Sequence, residues 1–368
     1  MASQKLQLVE KLLQAFDDAS VKRQQTRINA YELMCEIWMH HYIPDVLATR
    51  KMALVESLER SLRKGEEKEQ IWASNVIPLM MVQSETLEDA AEILQLLRPI
   101  LMAIVKDSSA TICAQCCTVL GTLYFTGEDD PQEILVLMKI FQEILLNNKF
   151  MGGNSELYAK VMNSWSLLLT LLTPDCIVQQ ISKNVLLSVR YLMEMLESTD
   201  LAVNLAIGVT FALMFEMGLQ QDPNFLKDEL PDVIDILQKL SSNPFRFQAK
   251  EDRKQQRHVL RDVLRYLQEH TIPEVRIKFG DETLLLDSWA IQHQYACLRN
   301  VFGTGMNVHL QENVLIRDIL KLGPKRDIVE KHLAKVMKME QQLSNAATSK
   351  KRSIARGKER DKRSYALE

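Results

Sequence analysis

Glycine and proline are scarce in this chain: together they make up 22 of 368 residues, about half the share of an average protein. So few helix breakers, together with 17 methionines, fit a helical protein. Strongly apolar runs of membrane-spanning length are not read from the sequence either. The most apolar stretch, Leu201 to Phe215, falls short of the ~20 residues a membrane-spanning helix needs. It reads as a buried core helix, and no membrane partner is expected. The opening MASQKLQLVEKLL lacks a basic n-region followed by an uninterrupted apolar stretch and a small-residue cleavage site. No signal peptide is expected, and the six cysteines are expected as free thiols in a reducing compartment.

Motifs of catalysis are also missing. Cys113, Cys116 and Cys117 form a CxxCC cluster, but a zinc site wants a second matching pair, and none stands at suitable spacing. In ATICAQCCTVLGTLYF these thiols read as small hydrophobes of an apolar helix. His40 and His41 are adjacent, so they point apart on a helix, and no HExxH occurs. Gly303-Thr304-Gly305 has no P-loop pattern around it and no strand closely before it, which excludes a phosphate loop. Cys297 stands one helical turn from His293, without a third member or an oxyanion donor pattern. The chain is therefore expected to be no enzyme and to use no cofactor, metal or small-molecule substrate.

What is present is helix after helix. Residues 3–16 form an amphipathic segment with Leu6, Val9, Leu12, Leu13 and Phe16 on one face. Pro44 opens a helix that Gly65 stops. Pro78 predicts a kink or early end in a helix over 66–82. Pro174 opens one helix ending near Glu197, and Pro231 interrupts the last short one. Comparable helices start at Ser20, Glu66, Ser108, Ser155 and Thr199, spaced 46, 42, 47 and 44 residues apart. Armadillo and HEAT repeats have periods of about 40–47. A helix pair cannot bury both of its apolar faces alone, but stacked pairs share one continuous core. The expected fold is all-α: an armadillo/HEAT-like solenoid over residues 1–242, with a globular all-α domain as the alternative.

After a linker at Asn243 to Phe247 the pattern changes. Lys250, Lys254, Arg257, Arg261 and Arg265 are spaced 4, 3, 4 and 4, which puts them on one helical face. They read either as a solvated face or as a row of cations for phosphates. Val275, Ile277 and Phe279 then alternate with Arg276 and Lys278, and Gly280-Asp281 offers a turn before Thr283 to Leu286. This predicts a β-hairpin. A helix capped at Asp287-Ser288 follows and ends at Gly303-Thr304-Gly305; another runs from about Glu312 to Leu320. Trp289, Tyr295 and Phe302 are either the core of this region or anchors for a partner. Residues 249–324 are expected to be a small α+β domain, and 325–368 a basic helical or disordered tail. The tail carries a net +7 against −10 for the rest. Between 350 and 363, eight of fourteen residues are basic: Lys350, Lys351, Arg352, Arg356, Lys358, Arg360, Lys362 and Arg363. Such a run suits RNA, or a nuclear-import signal.

Several short runs, in order, carry a resemblance: Arg261-Asp262-Val263-Leu264-Arg265, Ile277-Lys278-Phe279-Gly280, Asp287-Ser288-Trp289, Gly303-Thr304-Gly305-Met306, His309-Leu310-Gln311 and Leu322-Gly323-Pro324. With Arg50-Lys51-Met52 and Lys64-Gly65 upstream, the chain resembles the interferon-related developmental regulator family over nearly its whole length. The resemblance implies an armadillo-type protein with a separate C-terminal domain and no catalysis. It implies two roles: binding translationally inactive ribosomes, with a C-terminal helical segment in the RNA channels, or transcriptional co-regulation through nuclear proteins. The expected partners are ribosome or ribosomal RNA, with nuclear regulatory proteins as the alternative, in the cytoplasm, the nucleus or both. The expected RNA contacts are the eight tail cations with Lys250, Lys254, Arg257 and Arg261.

Overall fold

The computed structural model describes residues 2–147, 154–196, 200–242 and 250–325, with side chains from 6 onward and, in the helix that begins at 250, from 258 onward. Residues up to Leu322 make one compact unit, and Gly323–Glu368 fall in a second. The first unit is a helical-repeat solenoid of two layers. One layer stacks α2 (Gln24–His40), α4 (Glu67–Met81), α6 (Ala110–Gly127), α8 (Ser155–Leu169) and α11 (Leu201–Gln221), each against the next. These helices begin 43, 43, 45 and 46 residues apart, so the repeat period expected from sequence is real. The other layer holds α1 (Ala2–Ala19), α3 (Pro44–Lys64), α5 (Leu87–Asp107), α7 (Pro131–Leu146), α9 (Pro174–Ser182), α10 (Val189–Met195) and α12 (Leu230–Ser242).

The sequence explains this division. Helices of the second layer named are amphipathic: in α5, Ala90, Ile93, Leu94, Leu97 and Leu101 are buried while Glu88, Asp89 and Lys106 border water. In the first layer, α6 and α11 have neighbours on several sides and lose that asymmetry. Thus α6 carries no charged residue, and α11 carries only Glu216. Both are long and apolar enough to cross a membrane, yet most of their residues are buried between other helices. Cys113, Cys116 and Cys117 lie in the core at this point, and burial raises the thiols of Cys116 and Cys117.

Pro78 lies inside α4, which has its expected span and runs on to Met81 without an early end. Two other helix boundaries differ from those expected. The helix expected over 174–197 is two, because Asn184 turns the chain at a positive φ of 55° and Ser188 caps the next start by accepting from the Tyr191 N–H. The Gln142 side chain of α7 donates to the Val185 carbonyl and holds that break in place. Pro231 does not interrupt α12 but stands in its first turn, where the missing N–H is not needed.

The remaining elements are α13 (Lys250–Glu269), the hairpin of β1 (Val275–Phe279) and β2 (Glu282–Leu286), α14 (Trp289–Phe302), a 3-10 turn at Gly303–Gly305, α15 (Met306–Glu312) and α16 (Val314–Ile319). The hairpin has Val275 opposite Leu286 and Phe279 opposite Glu282. Its existence and the Ser288 cap of α14 follow the sequence pattern; α15 was not expected. Residues 250–322 pack into the solenoid: α13 closes its end against α11 and α12, and α14 crosses α11, α8, α4 and α2.

Both ends of this crossing are fixed by buried polar contacts. At its start, the Glu216 carboxylate of α11 accepts from the N–H groups of Trp289 and Ala290, each at 2.8 Å. These are otherwise unpaired donors at a helix N-terminus, where negative charge is favoured. At its far end, Gly305 sits against α2. A Cβ built there would lie 1.7 Å from the Met39 carbonyl oxygen and 2.6 Å from its carbon. That closeness, together with the positive φ of Gly303, accounts for the Gly-Thr-Gly sequence. Gly305→Ala must lift the C-terminal segment from α2, costing about 1–3 kcal/mol of stability on the scale of overpacked cores. A clear drop in thermal midpoint is expected; a melting curve superimposable on the wild type would show that the approach is not tight.

Candidate functional site

Two surfaces carry features beyond packing: the cationic face of α13 and the hairpin, and the face of the first-named helical layer that α14 and α15 cover. On α13, Leu260, Val263, Leu264 and Leu267 are buried against the solenoid, so the cations at 261 and 265 face water. Arg261 has no ion-pair partner among the described residues. Asp262 lies 2.9 Å from His258 and 3.9 Å from Arg265 and offsets part of the charge. Lys250, Lys254 and Arg257 share this helix, but their side chains lie outside the described residues. So do Lys350, Lys351, Arg352, Arg356, Lys358, Arg360, Lys362 and Arg363.

The hairpin adds two cations that were not among the expected contacts. Phe279, Leu284 and Leu286 are buried on one face. The pleat then puts Arg276 opposite Leu285 and Lys278 opposite Thr283 on the other, and all four are exposed. Arg276 also donates to Glu274 at 2.6 Å. The alternation Val-Arg-Ile-Lys-Phe already carried this signal, since period two separates an apolar face from a basic one.

The three aromatic residues considered as partner anchors do not face outward. Trp289 is 5 % exposed, Tyr295 8 % and Phe302 0 %. Trp289 lies 6.1 Å from the ring of Tyr266, and Phe302 stacks on His309 at 4.0 Å. They hold the C-terminal segment to its own solenoid, the other of the two roles open to them from sequence.

Histidines do similar work. The His309 Nε2–H donates to the carbonyls of Trp38 at 2.9 Å and Met39 at 3.1 Å, and Nδ1 accepts from Asn313 at 3.2 Å. Asn313 donates in turn to the Val82 carbonyl at 2.7 Å. One pair of side chains thus occupies the open carbonyls at the C-terminal ends of α2 and α4. His293 donates from Nε2 to the Asn163 carbonyl at 2.9 Å, while the Cys297 thiol lies 3.7 Å from that same nitrogen. The nitrogen nearest the thiol therefore already carries its proton. Burial pushes the Cys297 thiol up to about 12 and holds His293 below its ordinary value. This is the reverse of an activated thiolate–imidazolium pair.

Comparison with known proteins settles the family. A family model described as interferon-related developmental regulator matches residues 1–268, and a second, interferon-related protein conserved region, matches 313–364. The chain belongs to the interferon-related developmental regulator family. Interferon-related developmental regulator 1 of Mus musculus is 32 % identical over 355 residues, covering 93 % of this chain and 78 % of that protein. The protein of the same name from Homo sapiens is also 32 % identical, with the same coverage. Interferon-related developmental regulator 2 of Mus musculus is 30 % identical over 378 residues, covering 99 % of this chain and 85 % of that protein. Family membership places the chain among proteins named as regulators. The second model spans Asn313, Arg317 and the basic run, joining the docked end of the segment to the tail.

The His309 contacts have a measurable consequence. Burial lowers its pKa to about 4, below the ~6.5 of an unfolded chain. The unfolded state therefore takes the proton first, and the stability from this site is complete above about pH 6.5 and lost as the pH falls towards 4. By linkage, the wild type should lose about 2 kcal/mol more than His309→Gln between about pH 7.5 and pH 5. Denaturant melts of both proteins at the two pH values check this; parallel losses would place the proton elsewhere.

Proposed function

We propose that this protein is a non-catalytic regulator of gene expression that binds the ribosome, through ribosomal RNA, and represses translation. The observation that carries the reading is the separation of charge. The tail beyond residue 324 has a net +7 on a chain whose remainder is −10, and the exposed Arg261, Arg265, Arg276 and Lys278 extend the cationic character onto α13 and the hairpin. A basic segment on the same chain as an acidic body suits a polyanion: counterions released from phosphates drive binding, and the body's own charge opposes nonspecific collapse onto RNA. The ribosome-binding role implied by the family resemblance agrees with it.

The other reading is a nuclear protein-binding scaffold acting as a transcriptional co-regulator. It places extended partners on the face of the repeats. Here α14 and α15 lie across that face, which weighs against an open groove running the length of the solenoid. Recovery of nuclear proteins by residues 1–322, without the tail, would favour the scaffold.

Sedimentation through sucrose gradients separates the two. The full chain should travel with ribosomes and fall away as salt rises, since each lost phosphate contact changes the salt slope by about 0.7–0.9. Neutralising the eight tail cations should release it at physiological salt. Changing Arg261, Arg276 and Lys278 to Gln should shift the release to lower salt by a smaller step. Co-sedimentation that ignores both salt and the eight substitutions would overturn the RNA reading.

A further inference from the structure

The segment from β1 to α16 does not fill the face it crosses. Between α14 and the repeats lies a cleft of about 500 Å³, within the ordinary range of binding sites. It draws its walls from α2, α4, α6, α8 and α14. Packed helices stand about 8–10 Å apart, so a space bordered by four stacked helices is elongated along the stack rather than round.

The lining is apolar with carboxamides set into it. Trp72 forms part of the floor and is half-buried, whereas Trp38, Trp165 and Trp289 are buried. Asn75, Gln115, Asn163 and Asn300 come from four different helices. The Gln115 amide donates to the Asn75 oxygen at 2.6 Å, which orients both groups. That bond leaves an acceptor on Gln115 and a donor on Asn75. The side chains of Asn163 and Asn300 are exposed, without hydrogen-bond partners among the described residues. Each carboxamide offers a donor and an acceptor together, the same pair that a peptide group presents. Among the described residues the only cation in the lining is Lys160, and its ammonium lies 2.8 Å from Glu156.

We infer that this cleft binds an extended, uncharged segment of a partner protein, whose backbone is held by Asn75, Gln115, Asn163 and Asn300 and whose one large apolar side chain rests on Trp72. A space that passes four successive repeat helices suits an extended segment. The unbonded carboxamides match a peptide backbone, which has a donor and an acceptor at nearly every residue. The near absence of positive charge disfavours a nucleic acid, which would bring phosphates with no counter-charge to meet them. The site is separate from the cationic surface above, so it stands or falls independently of the RNA reading; to the protein-binding reading it offers a short cleft beside α14 in place of an open groove along the solenoid.

The full chain, selected against a phage-displayed library of random heptapeptides, tests the assignment. Enriched sequences should be uncharged with one large apolar residue, and the synthetic peptides should change the fluorescence of Trp72. The double change Asn163→Ala with Asn300→Ala touches only exposed side chains and should leave the melting temperature unaltered while weakening binding at least ten-fold. Gln115→Ala should weaken it similarly. Trp72→Phe should remove most of the fluorescence change at a small cost in affinity. Neutralising the eight tail cations should change nothing. The assignment is overturned if no peptide is enriched, if enriched peptides bind the carboxamide variants as tightly as the wild type, or if an oligouridylate rather than a peptide is lost on those substitutions.

Discussion

The structure depends on the way the chain's last described elements are tied back to its first ones. Glu216 holds the start of α14 by two backbone N–H groups, and His309 with Asn313 holds the far end by three backbone carbonyls. Glu216, Trp289, Trp38, His309, Asn313 and Val82 are buried, so water replaces these bonds poorly and a lost partner is costly. The apolar contacts around them, Phe302, Leu310 and Ile316 among others, supply burial without direction. The polar contacts supply the register: only one placement of the segment satisfies a carboxylate at one end and an imidazole at the other. Glu282 and Arg317 add a further constraint, pairing the hairpin with α16 through two hydrogen bonds of 3.2 and 2.9 Å.

Much of this architecture could be read in the sequence, for a specific reason. Repeats of about 45 residues, caps such as Ser288 and starts such as Pro44 are local signals, and local chemistry decides them. The hairpin was legible because its period differs from everything around it. The division of 174–197 into two helices was not, because the deciding residue is Asn184, whose left-handed turn has no flanking glycine or proline to announce it. Nor could the sequence say where α14 docks. An amphipathic pattern shows which face is buried, not which surface buries it. Trp289, Tyr295 and Phe302 looked equally suited to a partner and to the chain's own core until the surface beneath them was known. The roles of His309 and Asn313 were not legible, because the groups they satisfy are main-chain carbonyls, and those are invisible in a list of side chains.

The functional surfaces divide along the same line. Cations at 261, 276 and 278 are placed by strict helical and strand periodicity, so composition and spacing point to them directly. The cleft beside α14 is made by residues from five helices, and nothing short of the tertiary structure brings Asn75, Gln115, Asn163 and Asn300 together. The covering segment both closes most of the repeat face and builds one wall of what remains open. A partner of that cleft would therefore meet a mixed surface, part repeat and part C-terminal segment.

The bond from His309 to the Trp38 carbonyl spans 271 positions of the chain. A polypeptide made from its N-terminus onward has its first two repeats in hand long before the residues that seal them exist. Assembly of this solenoid cannot finish in the order of synthesis, as it could for an array whose units touch only their neighbours. The exposed ends of α2 and α4 must wait, with unpaired carbonyls and uncovered apolar side chains, until nearly the whole chain is complete. During that interval the nascent chain shows the kind of apolar surface through which incomplete folds associate.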